Sequence, residues 1–313
     1  MCTAVSLGRY FGRNLDLERS YAESVVITPR HYKFSFRTLP TSESHYAMIG
    51  MATVAEGYPL YYEATNEKGL SMAGLNFPCN AYYGAYREGK DNVAPFEFIP
   101  YILFRCKDTA EALECLENIN LVNINFSGEL PLSPLHWIIS DKEKSITVES
   151  VREGLKVYDN PYGVLTNNPT FDYHLMNINN YMNLHEGMGE NRLSERQNLS
   201  SYSLGMGALG LPGDYSSASR FVRAVFIKEK SHCFESEREN VSHFFHILGG
   251  VAMPKGCVMT KDGEYEYTRY SCCCNADKGI YYYNTYDNIG ITAVDMHDYD
   301  LEGSEVYRLD LEK

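Results

Sequence analysis

Strand-like and helix-like patterns come in blocks along this chain, and that order is its tightest constraint on fold. Cys2–Leu7, Tyr10–Leu17, Val25–Thr28, His31–Phe36 and Tyr46–Val54 are short, rich in β-branched and aromatic residues, and divided by turn-formers, which predicts strands. Tyr61–Thr65 and Leu70–Leu75 flank Asn66-Glu67-Lys68-Gly69, a hairpin signal. Ala94–Cys106 is an apolar segment broken by Pro100; after it Asp108 caps a predicted helix with Ala112, Leu116 and Ile119 on one face. A second strand block follows at Leu135–Ser140, Ser145–Val151, Leu155–Asp159 and Gly163–Thr166. Helical stripes come next: Phe171, Leu175, Ile178 and Met182; Phe221, Val222, Val225 and Phe226; then Val241, Phe244, Phe245 and Leu248 with Gly249-Gly250 as a C-cap. The chain closes in strands at Tyr265–Cys272, Gly279–Tyr286 and Ile289–Asp295. Single strands alternating with single helices would argue for a doubly wound parallel sheet. Blocks predict an α+β fold, largely antiparallel sheets with helices packed on them.

A chain of 313 residues, 44% of them hydrophobic, can bury a sizeable core. The expectation is a single domain over 1–313 with a long polar, glycine-rich loop at about 185–217, suited to a lid or a subunit contact. The net charge of −13, with no block of Lys or Arg to offset it, excludes nucleic acid and anionic membrane surfaces as natural partners. A small anion remains open, because one or two placed arginines dominate a local field. The opening Met-Cys-Thr-Ala-Val-Ser lacks the charged and apolar regions of a secretory signal, and no run of about 18 apolar residues occurs. The expected location is therefore cytoplasmic, without membrane insertion, and the nine cysteines read as thiols in a reducing compartment.

Cys2 is the most informative residue. A small residue after Met1 favours removal of the methionine, which would leave a thiol and a free α-amine on one residue. A thiol of pKa about 8.5 beside an amine of about 7.7–8.0 needs only about 1 kcal/mol to pass its proton across. Nucleophile and base are then supplied together. Position alone also fits an ordinary buried cysteine. In Tyr10–Leu17, Arg13 would lower the pKa of a neighbouring thiol and Asp16 would favour the ammonium. Three residues apart on a regular strand they face opposite ways, so serving one site takes a bulge or a strand end. The bland alternative is a surface ion pair.

Three other signals fail on context. Gly205-Met-Gly207-Ala-Leu-Gly210 matches a dinucleotide fingerprint, but no apolar strand leads in and Leu-Pro-Gly follows where a helix should open. His243 and His246 lie on an apolar stripe without an accompanying Glu, which suits edge-of-core histidines better than metal ligands. Cys272-Cys273-Cys274 lacks metal or redox spacing, and its members alternate across a strand.

Met-Cys-Thr-Ala at the start, Phe-Gly-Arg-Asn-Leu-Asp at 11–16, Asn-Glu-Lys-Gly-Leu at 66–70 and Ala-Gly-Leu-Asn-Phe at 73–77 form an ordered set. Leu-His-Trp at 135–137, Gly-Val-Leu-Thr-Asn-Asn-Pro at 163–169, Gly-Leu-Pro-Gly-Asp at 210–214, Ser-Arg-Phe-Val-Arg at 219–223 and Lys-Gly-Ile-Tyr-Tyr-Tyr-Asn-Thr-Tyr at 278–286 continue it. Together, over essentially the whole chain, they resemble the choloylglycine hydrolase family of N-terminal-nucleophile hydrolases. The resemblance implies an αββα sandwich and hydrolysis of the amide between a bile acid and glycine or taurine, with no metal or organic cofactor. It carries over Cys2 as nucleophile, Arg13 and Asp16 flanking it, Asn76 and Asn167 around the oxyanion, and Arg220 in the same polar cluster. Asn at position 76 resembles the bile salt enzymes more than the penicillin V acylases, which tend to carry Tyr there. Candidate steroid contacts are Tyr21, Phe126 and Tyr202. Relatives are often tetramers, so the resemblance also implies a homo-oligomer. Penicillin V or N-acyl homoserine lactone acylase activity is the alternative on the same scaffold. A non-catalytic amphipath-binding protein is the alternative of another class.

Overall fold

The computed structural model describes residues 1–312. Its first strands are β1 (Cys2–Leu7), β2 (Tyr10–Leu17), β3 (Ser24–Thr28), β4 (Met48–Ala55), β5 (Tyr58–Asn66), β6 (Ser71–Asn76) and β7 (Asp91–Val93). Helices α1 (Phe98–Leu103) and α2 (Thr109–Leu116) follow, then β8 (Ile119–Leu121), β9 (Leu135–Ser140), β10 (Ser145–Val151), β11 (Gly154–Asp159) and β12 (Val164–Leu165). Next are α3 (Phe171–Asn177), α4 (Ser217–Glu229) and α5 (Glu237–Gly249), and last β13 (Val258–Met259), β14 (Tyr265–Asn275), β15 (Ile280–Thr285), β16 (Thr292–Asp295) and β17 (Tyr307–Asp310).

One sheet runs β12-β1-β2-β14-β15-β16 with β13 beside β14; the other runs β11-β10-β9-β6-β5-β4-β3-β17. Every pairing within these two sheets is antiparallel. Their inner faces share one apolar core, in which Cys2, Ala4, Leu15 and Tyr270 from the first sheet meet Ile27, Ile49, Ala73 and Ile138 from the second. α4 and α5 pack on the outer face of the first sheet, and α1 on the outer face of the second, around Phe98, Ile102 and Trp137. The layer order is thus helix, sheet, sheet, helix, as the family resemblance implies, and the class is α+β, as the block pattern predicts.

Local chemistry explains most boundaries. β1 and β2 have the predicted limits, and Gly8 at φ 56° takes the left-handed place in their turn. At the predicted hairpin the Asn66 side chain accepts from the Lys68 and Leu70 backbone N–H groups. Its amide donates to the Leu103 and Cys106 carbonyls, tying the end of α1 to the sheet. Asp108 caps α2 through the Glu111 N–H. Pro100 sits in the first turn of α1, where its missing N–H costs no helical hydrogen bond.

Several expectations are corrected. His31–Phe36 is not a strand: only a bridge between Phe34 and Ser42 forms, because Phe34 is a core plug among Phe36, Tyr58 and Phe104. Ile119 leaves the α2 stripe and opens β8, which pairs parallel with β7. Met182 lies beyond α3 and is exposed. Gly250 is the C-cap of α5 as expected, but at φ −63° and not in the left-handed region; a Cβ there would strike Ile227 of α4, so the glycine serves close helix packing. β17, unread in the sequence, adds to β3 at the sheet edge. Between α3 and α4 the chain holds only short 3-10 turns, at Ile178–Tyr181 and Met206–Ala208. Among the described residues no helix is long and apolar enough to cross a membrane.

Candidate active site

Strand register brings the first cluster together. Cys2 pairs with Leu15 and Ala4 with Arg13, so the Cys2 and Arg13 side chains share the inner face of the first sheet. Asp16 points to the other face, as alternation requires, where it accepts from Thr268 Oγ1 at 2.6 Å. A bulge in β14 between Thr268 and Tyr270 shifts the register beside it. Asp16 still adjoins the chain start through its backbone: its N–H donates to the Met1 carbonyl at 3.0 Å and its carbonyl accepts from the Met1 amine at 2.8 Å. Asp16 Oδ2 is buried without a partner. The Met1 amine also pairs with Glu266. Burial drives that amine below its usual value, against the pull of Cys2 and Asp16.

From the opposite side comes the turn after β12. Asn167 Oδ1 accepts from the Cys2 N–H at 2.9 Å and from Arg220 Nη2 at 2.7 Å, while its Nδ2 donates to the Asn76 carbonyl at 2.7 Å. Asn167 Oδ1 is therefore doubly engaged, while its amide nitrogen, which carries two hydrogens, has one with no acceptor among the described residues. The Asn168–Pro169 peptide that follows is cis. Arg220, on α4 and fully buried, also donates to the Cys2 carbonyl at 2.5 Å, Thr3 Oγ1 at 2.6 Å and the Tyr215 carbonyl at 3.0 Å. Ser216 caps that helix, and Asp214 accepts from Ser219 Oγ at 2.6 Å, so the 210–223 blocks serve to set the helix that carries Arg220.

Arg13 is fully buried as well. Its Nη1 donates to the Gly74 carbonyl at 2.6 Å and the Tyr62 carbonyl at 3.1 Å, and lies 3.8 Å from Glu63 Oε2. Those carbonyls are free because the β5–β6 ladder stops at Glu63–Ala73 and Tyr62 is the extra residue of a bulge against β4. The guanidinium thus bridges a split between two strands.

A cleft of about 400 Å³ runs from this cluster outward. Cys2, Arg13 and Asn76 line one end; Tyr21, Tyr61, Phe96, Ile99 and Phe126 supply apolar wall. Asn76 lines the cleft, and its side chain has no hydrogen-bond partner among the described residues. Two of the three candidate wall residues, Tyr21 and Phe126, are therefore in place. Tyr202 is not: it is 86% exposed on the excursion between α3 and α4 and lines none of the cleft. An aromatic in a polar loop carried no information about where the loop would lie.

Sequence reading missed the supports behind the site. His136 Nε2 donates to the Thr166 carbonyl at 2.9 Å, and its Nδ1 lies 3.1 Å from Glu149 Oε1, which accepts from the Phe171 N–H. His174 Nε2 donates to the Asn167 carbonyl at 3.0 Å. Glu63 is the sole charged residue of β5, the one signal that could have flagged it. His243 packs edge-on against Phe234. Cys272 and Cys274 face inward and Cys273 outward, all three buried.

Comparison with known proteins agrees with this geometry. Residues 2–308 match the model for linear amide C–N hydrolases of the choloylglycine hydrolase family. The chain is 54% identical to a bile salt hydrolase/transferase of Lactiplantibacillus plantarum, covering 98% of this chain and 95% of that protein. It is 40% identical to a bile salt hydrolase/transferase of Clostridium perfringens, at 98% and 95% coverage. A crystal structure of a mutant conjugated bile acid hydrolase from Clostridium perfringens superposes with a TM-score of 0.91 at 39% identity, covering 100% of this chain and 97% of that one. Penicillin V acylase from Agrobacterium tumefaciens shares the fold, with a TM-score of 0.77 at 21% identity over 99% of this chain and 91% of that one. With a cysteine at position 2 seated among Arg13, Asn167 and Arg220, and a family match that runs nearly from end to end, the chain belongs to the choloylglycine hydrolase family of linear amide C–N hydrolases.

Proposed function

We propose that this protein hydrolyses the amide of glycine- or taurine-conjugated bile salts, with Cys2 as an N-terminal nucleophile once Met1 is removed. The observation that carries the reading is the lining of one cleft. It joins Cys2, Arg13 and Asn76 at one end to apolar and tyrosine walls that suit a large amphipathic acyl group. The curated relatives in Lactiplantibacillus plantarum and Clostridium perfringens carry the name of the same reaction.

Loss of Met1 turns the Cys2 nitrogen into an amine where Asn167 Oδ1 already accepts from it. An amine buried there favours its neutral form, as burial does for the Met1 amine, and can take the thiol proton. The thiolate Sγ then attacks the amide carbonyl carbon. Arg13 stabilises the thiolate, and the Asp16 carboxylate, whose charge already pulls on the neighbouring Met1 amine, the ammonium. The Asn76 amide and the second Nδ2–H of Asn167 are the donors for the oxyanion. Asn167 and Arg220 hold the Cys2 nitrogen and carbonyl in register with it. On collapse the C–N bond breaks and the ammonium proton goes to the departing glycine or taurine nitrogen. Water, deprotonated by the same amine, cleaves the thioester and restores the thiol.

The test is intact mass of the purified protein together with release of glycine from glycocholate and taurine from taurocholate. Loss of Met1 with amino acid released is the expected outcome. A processed, folded protein that releases neither from any conjugated bile salt would overturn the substrate.

A further inference from the structure

Behind Arg13 lies a carboxylate that the proposed chemistry does not use. Glu63 is fully buried on the inner face of β5. Tyr270 Oη donates to its Oε2 at 2.7 Å, Tyr281 Oη to its Oε1 at 2.7 Å, and Cys272 Sγ approaches Oε1 at 3.5 Å. The three donors come from β14 and β15, the far side of the core, and Arg13 Nη1 is the fourth neighbour at 3.8 Å. Three neutral donors and one cation around a carboxylate is a costly arrangement in an apolar core, and replacing such a group by a hydrophobic residue is often neutral for stability. Its place suggests a use. The Glu63–Ala73 pair is where the β5–β6 ladder ends, and the two carbonyls just past that end both take Arg13.

We propose that Glu63 is a positioning residue for the nucleophile: caged by Tyr270, Tyr281 and Cys272, it holds Arg13 across the β5–β6 split and moderates the positive charge Arg13 presents to Cys2. The inference rests on Cys2 being the nucleophile but not on the identity of the substrate. The groups facing Glu63 are Arg13 from β2, Tyr62 beside it on β5, Tyr270, Cys272 and Cys274 from β14, and Tyr281 from β15. Burial pushes the Glu63 carboxyl above its ordinary value, and Arg13 and the hydroxyl donors pull against that. Burial also pushes both phenols and the Cys272 thiol well above theirs, so all three stay protonated and continue to donate.

The charge is what separates positioning from mere support. In Glu63→Gln the side chain keeps its size but the counter-charge to Arg13 is gone. The Cys2 thiolate then faces a less compensated guanidinium and forms at lower pH. Iodoacetamide labelling of Cys2, read by mass spectrometry of the N-terminal peptide across pH, gives the midpoint without any bile salt. We expect it to fall by about half a unit or more, with kcat down about tenfold and KM changed less than about threefold. Glu63→Asp, which keeps the charge but shortens the arm, should return the midpoint to the wild-type value while kcat stays low. A Cys2 midpoint unmoved in folded Glu63→Gln, or moved as far in Glu63→Asp, would overturn the proposal. If Glu63→Gln does not fold, Tyr281→Phe carries the test: losing one donor favours the neutral carboxyl, so the midpoint should fall, and an unmoved midpoint overturns it. Wild-type labelling at Cys2 without bile salt hydrolysis would sink the substrate reading alone.

Discussion

Asn76→Ala separates catalysis from folding at this site. The Asn76 backbone carbonyl anchors Asn167, and that contact survives truncation of the side chain. The side chain itself lines the cleft, is only partly buried, and has no partner among the described residues. Removing it leaves no buried group unpaired and opens no closed cavity, so the stability change should stay within about 0.5 kcal/mol. If its amide is an oxyanion donor, its loss costs the transition state about 2.7–4 kcal/mol, or 10²–10³ in kcat. KM should move little, because the ground-state carbonyl is not yet an oxyanion. Steady-state release of glycine from glycocholate, beside a thermal melt of the same preparation, reads both quantities. A kcat within about threefold of wild type would refute the assignment. So would a loss of activity matched by a loss of fold, because the side chain would then be structural.

Three further outcomes follow from the same geometry. Burial pulls the Met1 amine below the ordinary α-amine range of about 7.7–8.0, and the Cys2 amine that processing exposes lies one residue further into the same buried strand. The acid limb of the kcat/KM profile of the processed enzyme should therefore fall below pH 8 and belong to the coupled amine–thiol pair; a limb above that value contradicts the burial argument. Gly12→Ala would drive a Cβ into the Cys272 carbonyl in the β2–β14 ladder. It should cost about 3 kcal/mol or more, seen as a large fall in melting temperature, although Gly12 touches no reacting atom. Asp214 is held at about 2 by its bonds to Ser216 and Ser219. Its folded value lies below the unfolded one near 3.9, so its stabilisation is complete well above that pH and lost as pH falls toward 2. Asp214→Asn should flatten acid stability there by less than about 1 kcal/mol, since the group is exposed; an unchanged acid melt would refute a stabilising role for its bonds to Ser216 and Ser219.

How far the sequence reaches depends on the range of the physics involved. Alternation and turn chemistry are local, so the limits of β1 and β2, the Asn66–Gly69 hairpin and the Asp108 cap were legible, and the block order carried the antiparallel sheets with helices packed on them, while the order of the layers came from the family resemblance. Opposite facing of Arg13 and Asp16 was also legible, because the period of a strand is fixed. Polar partners were not. That Arg13 would lie across the end of the β5–β6 ladder depends on a bulge at Tyr62 and on two strands parting. That Asn167 would tie Cys2, Arg220 and Asn76 together depends on three distant segments meeting. Phe34 reads as strand and is a core plug, while Tyr202 reads as a pocket wall and stands in solvent, because burial is decided by the whole packing. The residues that can do chemistry were written in the chain; which of their atoms are already taken, and which are left free for a substrate, was decided only when the two sheets closed over them.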